Sequence, residues 1–247
     1  MMKLIHKTAI ITGAATGIGK ATAERFGEEG ANVVINYLDD NHYTSVQESI
    51  ARIESAGGKA IAVKADVSRV DQLTALFQQA KEAFGGIDVV VNNAVIAILK
   101  PIVEVTEEDY QRMFDVNVKS VFFSLQLAGK LMNDNGRVIN LSSHTTALFF
   151  PNYGLYDANK GAVEQISRVF SKEIGHKGIT VNVVSPGATD TAEFATRPQE
   201  LKDRVKAMSG MNRIARQEEV VNVITFLASD EASWVTGQNI KVNGGAI

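Results

Sequence analysis

The order in which apolar runs and helical segments follow each other constrains the fold of this chain more than any other feature. Seven short runs are apolar and rich in β-branched residues, at 8–12, 32–36, 60–64, 89–92, 137–141, 180–184 and 239–242. Segments with helical periodicity lie between them, around 17–29, 42–56, 70–84, 107–133, 154–177 and 217–229. Continuously apolar strands that alternate with helices are typical of a parallel sheet covered on both faces. The sequence therefore predicts an α/β fold in a single domain, 1–247, because no linker or repeat interrupts the pattern.

A glycine-rich turn joins the first predicted strand to the first predicted helix. Gly13, Gly17 and Gly19 form a Gly-x-x-x-Gly-x-Gly pattern there, with Thr16 and Ile18 between them. Glycines at such a junction permit a tight turn and let a pyrophosphate approach the backbone, while the helix N-terminus attracts the phosphates. The spacing differs from Gly-x-Gly-x-x-Gly, but the place between strand and helix predicts a dinucleotide site.

The end of the second strand bears on the choice between NAD and NADP. A carboxylate there would bind the ribose 2′-hydroxyl of NAD and repel the 2′-phosphate of NADP. Tyr37 follows Asn36 at this point, and Asp39 and Asp40 come shortly after it. The missing acid favours NADP(H), whereas the two later carboxylates favour NAD(H) unless they point to solvent. The prediction leans towards NADP(H) and leaves NAD(H) open.

A hydroxyl, a phenol and an ammonium stand at distinctive intervals in the second half of the chain. Tyr156 and Lys160 are four residues apart, so a helix places them on one face, and Ser143 follows the strand at 137–141. A nearby ammonium lowers the pKa of a phenol towards the range of a useful acid or base. A serine hydroxyl can donate a hydrogen bond to a substrate oxygen on which charge develops. The three groups thus suit carbonyl chemistry once a hydride carrier is present.

Four further polar residues stand at strand ends or inside a helix. Asp66 can accept a hydrogen bond from an adenine amino group or cap the helix that begins near Ser68. Asn92 and Asn93 end the fourth strand, where their amides can tie neighbouring loops together. Asn117 interrupts an apolar helical segment, which indicates a buried polar joint or a part of a proton path.

Composition removes several classes of function. The formal net charge of −3 gives no electrostatic reason to expect nucleic acid or an anionic membrane as partner. The chain has no cysteine, and its four histidines show no metal-ligand spacing, so no metal site is predicted. No run reaches the ~18 apolar residues of a spanning helix, and the N-terminus lacks the pattern of a signal peptide. A cytoplasmic protein is the resulting expectation.

Together these motifs resemble the short-chain dehydrogenase/reductase family over nearly the whole chain. The turn 12–19, Asn92-Asn93-Ala94, Asn117, Ser143, Tyr156-x-x-x-Lys160 and Pro186-Gly187 fall in the order of that family. The chain is most similar to the group that includes 3-oxoacyl-carrier-protein reductases and small carbonyl reductases. The resemblance implies a Rossmann-type, doubly wound sheet of seven parallel strands with helices on both faces, and a homotetramer.

The resemblance also implies a catalytic tetrad. Tyr156 would be the acid–base and Ser143 would orient and polarise the substrate carbonyl. Lys160 would lower the pKa of the tyrosine and hold the nicotinamide ribose, and Asn117 would anchor a water in the proton relay. The implied cofactor contacts are Gly13, Thr16, Gly17, Ile18, Gly19, Asn36, Tyr37, Asp66, Val67, Asn93, Ala94, Tyr156, Lys160, Pro186, Gly187, Thr189 and Thr191.

Val95 departs from the family pattern, in which glycine usually follows Asn-Asn-Ala, and it adds bulk where cofactor and substrate meet. The charged segment 189–212 indicates a mobile lid over the substrate. His144 is either a substrate contact or a satisfied loop residue, and Phe149, Phe150, Tyr153, Phe194 and Met208 belong to an apolar pocket, the core or a subunit contact.

The predicted activity is the interconversion of a ketone and a secondary alcohol, a small-molecule reaction, with Tyr156 transferring the proton. One alternative is a specific 3-oxoacyl-carrier-protein reductase, which requires a basic patch near the site for an acidic carrier. The candidates for that patch are Lys100, Arg197, Lys202 and Arg204. The other alternative is a non-catalytic nucleotide-sensing scaffold, against which the filled tetrad argues.

Overall fold

The computed structural model describes residues 2–247. Its strands are β1 Thr8–Ile11, β2 Asn32–Tyr37, β3 Lys59–Lys64, β4 Val89–Asn92, β5 Arg137–Leu141, β6 Thr180–Pro186 and β7 Asn239–Val242. Its α-helices are α1 Gly17–Glu28, α2 Tyr43–Ser55, α3 Val70–Phe84, α4 Glu107–Phe114, α5 Ser120–Leu131, α6 Gly154–Ile174, α7 Ala192–Ala195, α8 Gln199–Met208 and α9 Gln217–Ala228. None of the helices in the described range is long and apolar enough to cross a membrane.

All seven strands form one parallel sheet in the order β3-β2-β1-β4-β5-β6-β7. Strand β1 pairs with β2 on one side and with β4 on the other, so the winding reverses there. In open α/β sheets this reversal leaves a crevice at the carboxyl ends of the strands, where ligands bind. The predicted doubly wound, seven-stranded α/β fold is confirmed.

Side chains of the sheet alternate between two buried clusters, one on each face. Ile11 and Ile35 pack with Phe26 of α1 and Ile224 of α9. Ile10 belongs to the opposite cluster, which contains residues of α3, α5 and α6. Successive residues of a strand point to opposite faces, which explains why the strands read as continuous apolar runs.

Two segments differ from the sequence-based expectation. The single helix predicted at 107–133 is divided by a π-helical turn, Asp115–Lys119, and ends at Leu131. The turn contains Asn117, whose side chain bonds to a neighbouring loop, and such bulges are frequent at functional sites. The predicted lid segment 189–212 contains α7 and α8, which were not predicted because neither helix has a buried residue to create a periodic apolar pattern.

Candidate active site

A cleft of about 930 Å³ lies at the carboxyl ends of the strands, where the winding reverses. Seventeen of the predicted site residues line it, namely Gly13, Thr16, Gly17, Ile18, Asn36, Tyr37, Asp66, Val67, Asn93, Ala94, Ser143, Tyr156, Lys160, Pro186, Gly187, Thr189 and Thr191. Gly19 and Asn117 do not line it. The cleft therefore brings the glycine turn and the Ser143–Tyr156–Lys160 group together.

The glycine turn leaves no room for side chains at two positions. A Cβ on Gly13, whose φ is +61°, would lie 2.8 Å from the Cα of Ala94. A Cβ on Gly19 would lie 2.4 Å from Nδ2 of Asn93 and 2.5 Å from the carbonyl oxygen of Gly13. Asn93 Nδ2 in turn donates to the carbonyls of Thr12 and Gly13, both at 3.0 Å. A turn packed this closely, open to the cleft and followed by a helix N-terminus, fits the pyrophosphate of a dinucleotide.

Asn36 supports this turn from below. Its Oδ1 accepts a hydrogen bond from the amide of Gly13 at 3.1 Å, and its Nδ2 donates to the carbonyl of Ala65 at 3.0 Å. The side chain is buried and so connects β2, the glycine turn and the end of β3. Asn36 borders the cleft, and its amide group is committed to the backbone.

Asp66 forms a hydrogen-bonded turn just ahead of α3 and does not cap that helix, whose N-cap position is Arg69. Its Oδ1 accepts from the amide of Ser68 at 2.9 Å and from the Ser68 hydroxyl at 2.7 Å, two residues before α3 begins. The carboxyl group also borders the cleft, so contact with an adenine amino group stays a prediction.

The two aspartates after β2 do not line the cleft. Asp40 pairs with Lys64 at 2.6 Å, and Asp39 Oδ1 accepts from the amide of Asn41 at 2.9 Å. Tyr37, Leu38 and His42 form the wall instead. Neither aspartate is therefore placed to bind the ribose 2′-hydroxyl of NAD(H), which favours NADP(H).

Tyr156 lines the cleft close to Ser143, and its phenol is strongly desolvated. Burial raises the pKa of its phenol above the ordinary value, while a hydrogen bond with Ser143 opposes the rise. The lowering of this pKa by the Lys160 ammonium stays a prediction. The ammonium lies 5.8 Å from the centre of the Tyr156 ring and donates to the carbonyl of Leu141 at 2.8 Å.

Lys160 is itself almost fully buried. Burial lowers the pKa of its ammonium to about 8, and the negative charge of Glu164 opposes this shift. A buried ammonium of this kind is held near the cleft by a backbone carbonyl and keeps further donors for an incoming ligand.

Asn117 ties the π-helical turn to the loop after β4. Its Oδ1 accepts from the amide of Ile96 and its Nδ2 donates to the carbonyl of the same residue, both at 2.9 Å. This reciprocal pair explains why a helix tolerates a buried asparagine and a local change of pitch. The proposed water anchor in a proton relay stays a prediction.

Comparison with known proteins decides the family. A family model described as Enoyl-(Acyl carrier protein) reductase matches residues 13–246. An uncharacterised oxidoreductase of Methylorubrum extorquens is 41% identical, with 99% of each chain covered. A Burkholderia cenocepacia short chain dehydrogenase solved with NADP is 30% identical, with a TM-score of 0.93 and 99% of each chain covered. The angucycline C-6 ketoreductase LanV, also with bound NADP, is 38% identical, with a TM-score of 0.92 and coverage of 99% of this chain and 96% of LanV.

The chain belongs to the short-chain dehydrogenase/reductase family. It is thus a member of an oxidoreductase family. The resemblance that the motifs indicated is confirmed over nearly the full length of the chain.

In this short-chain dehydrogenase/reductase, one wall of the cleft was not predicted from the sequence. Glu108, Gln111, Arg112 and Asp115 of α4 and the π-helical turn line it. Their spacing of three, one and three residues places them on one helical face. This spacing could have indicated the wall, but polar residues on one face of a helix usually indicate exposure to solvent.

Several candidate residues lie outside the cleft. His144 lines a separate cavity of about 290 Å³, and burial lowers the pKa of its imidazole. Of the five apolar candidates, Phe194 alone lines the main cleft.

The proposed basic patch does not form a free cationic surface. Lys100 pairs with Asp109 at 2.6 Å and Arg197 pairs with Glu193 at 3.0 Å. Lys202 donates to the carbonyl of Ala195, and Arg204 is exposed. Arg197 is the member of the four that lines the cleft.

Proposed function

We propose that this protein is an NADP(H)-dependent oxidoreductase that interconverts a ketone and a secondary alcohol. The observation that carries the proposal is the presence of Ser143, Tyr156 and Lys160 in the same cleft as a glycine turn that has no room for a Cβ at Gly13 or Gly19. The glycine turn would hold the pyrophosphate of a dinucleotide in the cleft that the three groups also line, at the switch point of the sheet.

Each of these three residues has a role that its surroundings suit. The bound cofactor supplies or accepts the hydride. Tyr156 keeps its proton at neutral pH because burial raises its pKa, so it is ready to protonate the oxygen of a ketone. Ser143 contacts the same oxygen, and Lys160 stabilises negative charge that develops on the phenol.

NADP(H) is favoured over NAD(H) for two reasons. Tyr37, Leu38 and His42 form the wall at the end of β2, and the carboxylates of Asp39 and Asp40 are engaged elsewhere. The Burkholderia enzyme and LanV, which are similar over 99% of this chain, were both solved with NADP.

A carrier-specific 3-oxoacyl reductase is the second candidate. The description of the matching family model favours an acyl substrate, whereas the ion pairs of Lys100 and Arg197 disfavour an acidic carrier protein as partner. A non-catalytic nucleotide sensor is disfavoured because Ser143, Tyr156 and Lys160 are all present at the cleft.

A parallel absorbance screen at 340 nm tests the proposal. Ketones, including a 3-oxoacyl thioester, are offered with NADPH and with NADH, and secondary alcohols with the oxidised forms. We expect turnover of ketones with NADPH and a lower kcat/KM with NADH. Tight NADPH binding without turnover of any carbonyl compound would favour the sensor instead.

Val95 is expected to limit the size of the substrate. Its side chain is 46% exposed and lines the cleft beside Ala94 and Ile96. Replacing Val95 with alanine removes two methyl groups from the wall, so kcat/KM for bulky aromatic ketones should rise by roughly 10-fold. A small ketone such as a butanone serves as the control, and an equal change for both substrates would contradict the assignment.

The homotetramer and the cytoplasmic location remain proposals from the sequence. Exposed Phe122 on α5 and Val169 on α6 agree with the expected helix-pair interface, since both side chains are more than half accessible in the single chain. Light scattering after size exclusion and cell fractionation test the two statements.

A further inference from the structure

Ser143 is the first member of a chain of three oxygen atoms that ends at a carboxyl group. The hydroxyl oxygen of Thr145 lies 2.8 Å from Oγ of Ser143 and 2.6 Å from Oδ1 of Asp157. Ser143 and Thr145 are buried, and Asp157 is half-buried at the first turn of α6 beside Tyr156. The amide of Thr145 also donates to Ser143 Oγ, at 3.2 Å. These contacts fix the position of the serine oxygen.

Hydroxyl groups have one proton each, so the chain can point in one of two directions. If Asp157 is a carboxylate, it can only accept, so Thr145 donates to it and Ser143 must donate to Thr145. The proton of Ser143 then points away from the cleft. If Asp157 is a carboxylic acid, it donates to Thr145, Thr145 donates to Ser143, and the serine proton is free to point into the cleft.

The surroundings of Asp157 favour uptake of a proton. Burial raises the pKa of its carboxyl group, the hydrogen bond from Thr145 lowers it, and the negative charge of Glu164 raises it. Within residues 2–247 no cation pairs with this carboxylate. The titratable or charged groups near it are Tyr153 just before α6, Tyr156, Lys160 and Glu164 on α6, His144 in the preceding turn, Glu193 on α7 and Arg197 after it.

We infer that Asp157 is a positioning residue for the reaction, which sets through Thr145 whether the Ser143 hydroxyl donates a hydrogen bond into the cleft. The inference rests on the proposed ketone reduction, in which Ser143 polarises the carbonyl oxygen. A carbonyl oxygen can only accept, so it gains a hydrogen bond from Ser143 in the acid form of Asp157 and none in the carboxylate form.

The expected pH dependence follows from this direction. Below the pKa of Asp157 the serine proton is free, and kcat/KM for ketone reduction stands on a high plateau. As pH rises through that pKa, kcat/KM falls to a lower plateau, because Ser143 now donates to Thr145. The ratio of the plateaus should be about threefold to tenfold, the usual effect of one hydrogen bond.

Asp157→Asn gives the decisive test, since an amide can donate to Thr145 at every pH. We expect its kcat/KM for ketone reduction to stay at the high plateau at every pH. At pH values above the pKa of Asp157 it should exceed that of the wild type by about threefold to tenfold. A residue with a merely structural role would not give such a gain. The dissociation constant of NADPH, measured by fluorescence, should be unchanged.

Two further variants complete the test. Thr145→Val keeps the size of the side chain but removes the hydroxyl that links Ser143 to Asp157. The fall in kcat/KM with rising pH should therefore disappear, and the pKa of Asp157, measured by carboxyl ¹³C NMR, should rise. Glu164→Gln removes a neighbouring charge that bonds to Ser142 and Thr146, not to Ser143. It should keep the fall and move it to lower pH.

A fall that persists unchanged in both Asp157→Asn and Thr145→Val would overturn the inference, as would an Asp157→Asn enzyme no faster than the wild type at any pH. Either result leaves the proposed function intact. Failure of the proposed function is distinguishable, because the wild type would then reduce no ketone. The NMR measurement needs no turnover: if Thr145→Val leaves the pKa of Asp157 unchanged, the inferred link between Asp157 and Ser143 is rejected.

Discussion

Replacing Tyr156 with phenylalanine is expected to lower kcat for ketone reduction by about 10²- to 10⁴-fold, the usual contribution of a positioned acid. The phenol is the group in the cleft that holds a proton at neutral pH within contact of Ser143, because burial raises its pKa. Phenylalanine keeps the ring and its edge-to-face contact with Tyr153, whose centroid lies 6.0 Å away. Stopped-flow absorbance of NADPH oxidation measures the loss.

The cofactor site should survive this substitution. The glycine turn is held by Asn93 and Asn36, which do not depend on the phenol, so the dissociation constant of NADPH should change less than twofold. Tyr153→Phe is the matched control, because it removes a phenol one turn away that does not line the cleft, and it should retain turnover. Equal losses in the two variants would mean that Tyr156 has no special role in proton transfer.

Replacing Gly19 with alanine is expected to displace the glycine turn and weaken cofactor binding. The new Cβ would lie 2.5 Å from the carbonyl oxygen of Gly13, a backbone atom that moves only with the whole turn. Overpacking of this kind lowers the free energy of unfolding by about 1–3 kcal/mol. Displacement of the turn should weaken NADPH binding by roughly tenfold or more, which corresponds to about 1.4 kcal/mol. Isothermal calorimetry and urea unfolding measure the two effects.

Gly161→Ala is the control for that experiment. Gly161 lies inside α6, and a Cβ there meets nothing within 4 Å. Alanine favours a helix interior over glycine by about 1 kcal/mol, so this variant should be slightly more stable and bind NADPH as before. If Gly19→Ala binds NADPH as tightly as Gly161→Ala, the glycine turn does not hold the pyrophosphate.

The sequence predicted the sheet because burial on both faces leaves a direct pattern in the chain. All seven predicted strands exist within one or two residues, and most of the predicted contacts line one cleft. Helices without buried residues leave no such pattern, which is why α7 and α8 were missed. Polar side chains likewise add nothing to an apolar pattern, so the face of α4 and the π-helical turn that borders the cleft, with Arg112 and Asp115, was not predicted either.

By itself the sequence determined the fold class and the glycine turn and led to the proposed reacting groups, because these depend on residue type and on spacing within single elements. The electrostatic state of those groups was decided by tertiary structure. Spacing on a helix brings Lys160 near Tyr156, but burial raises the pKa of the phenol and a carbonyl of β5 takes the ammonium. The contact between Ser143, Thr145 and Asp157 likewise arises only where a strand end and a helix meet. Desolvation and hydrogen-bond direction depend on every neighbour in space, and a linear sequence does not contain them.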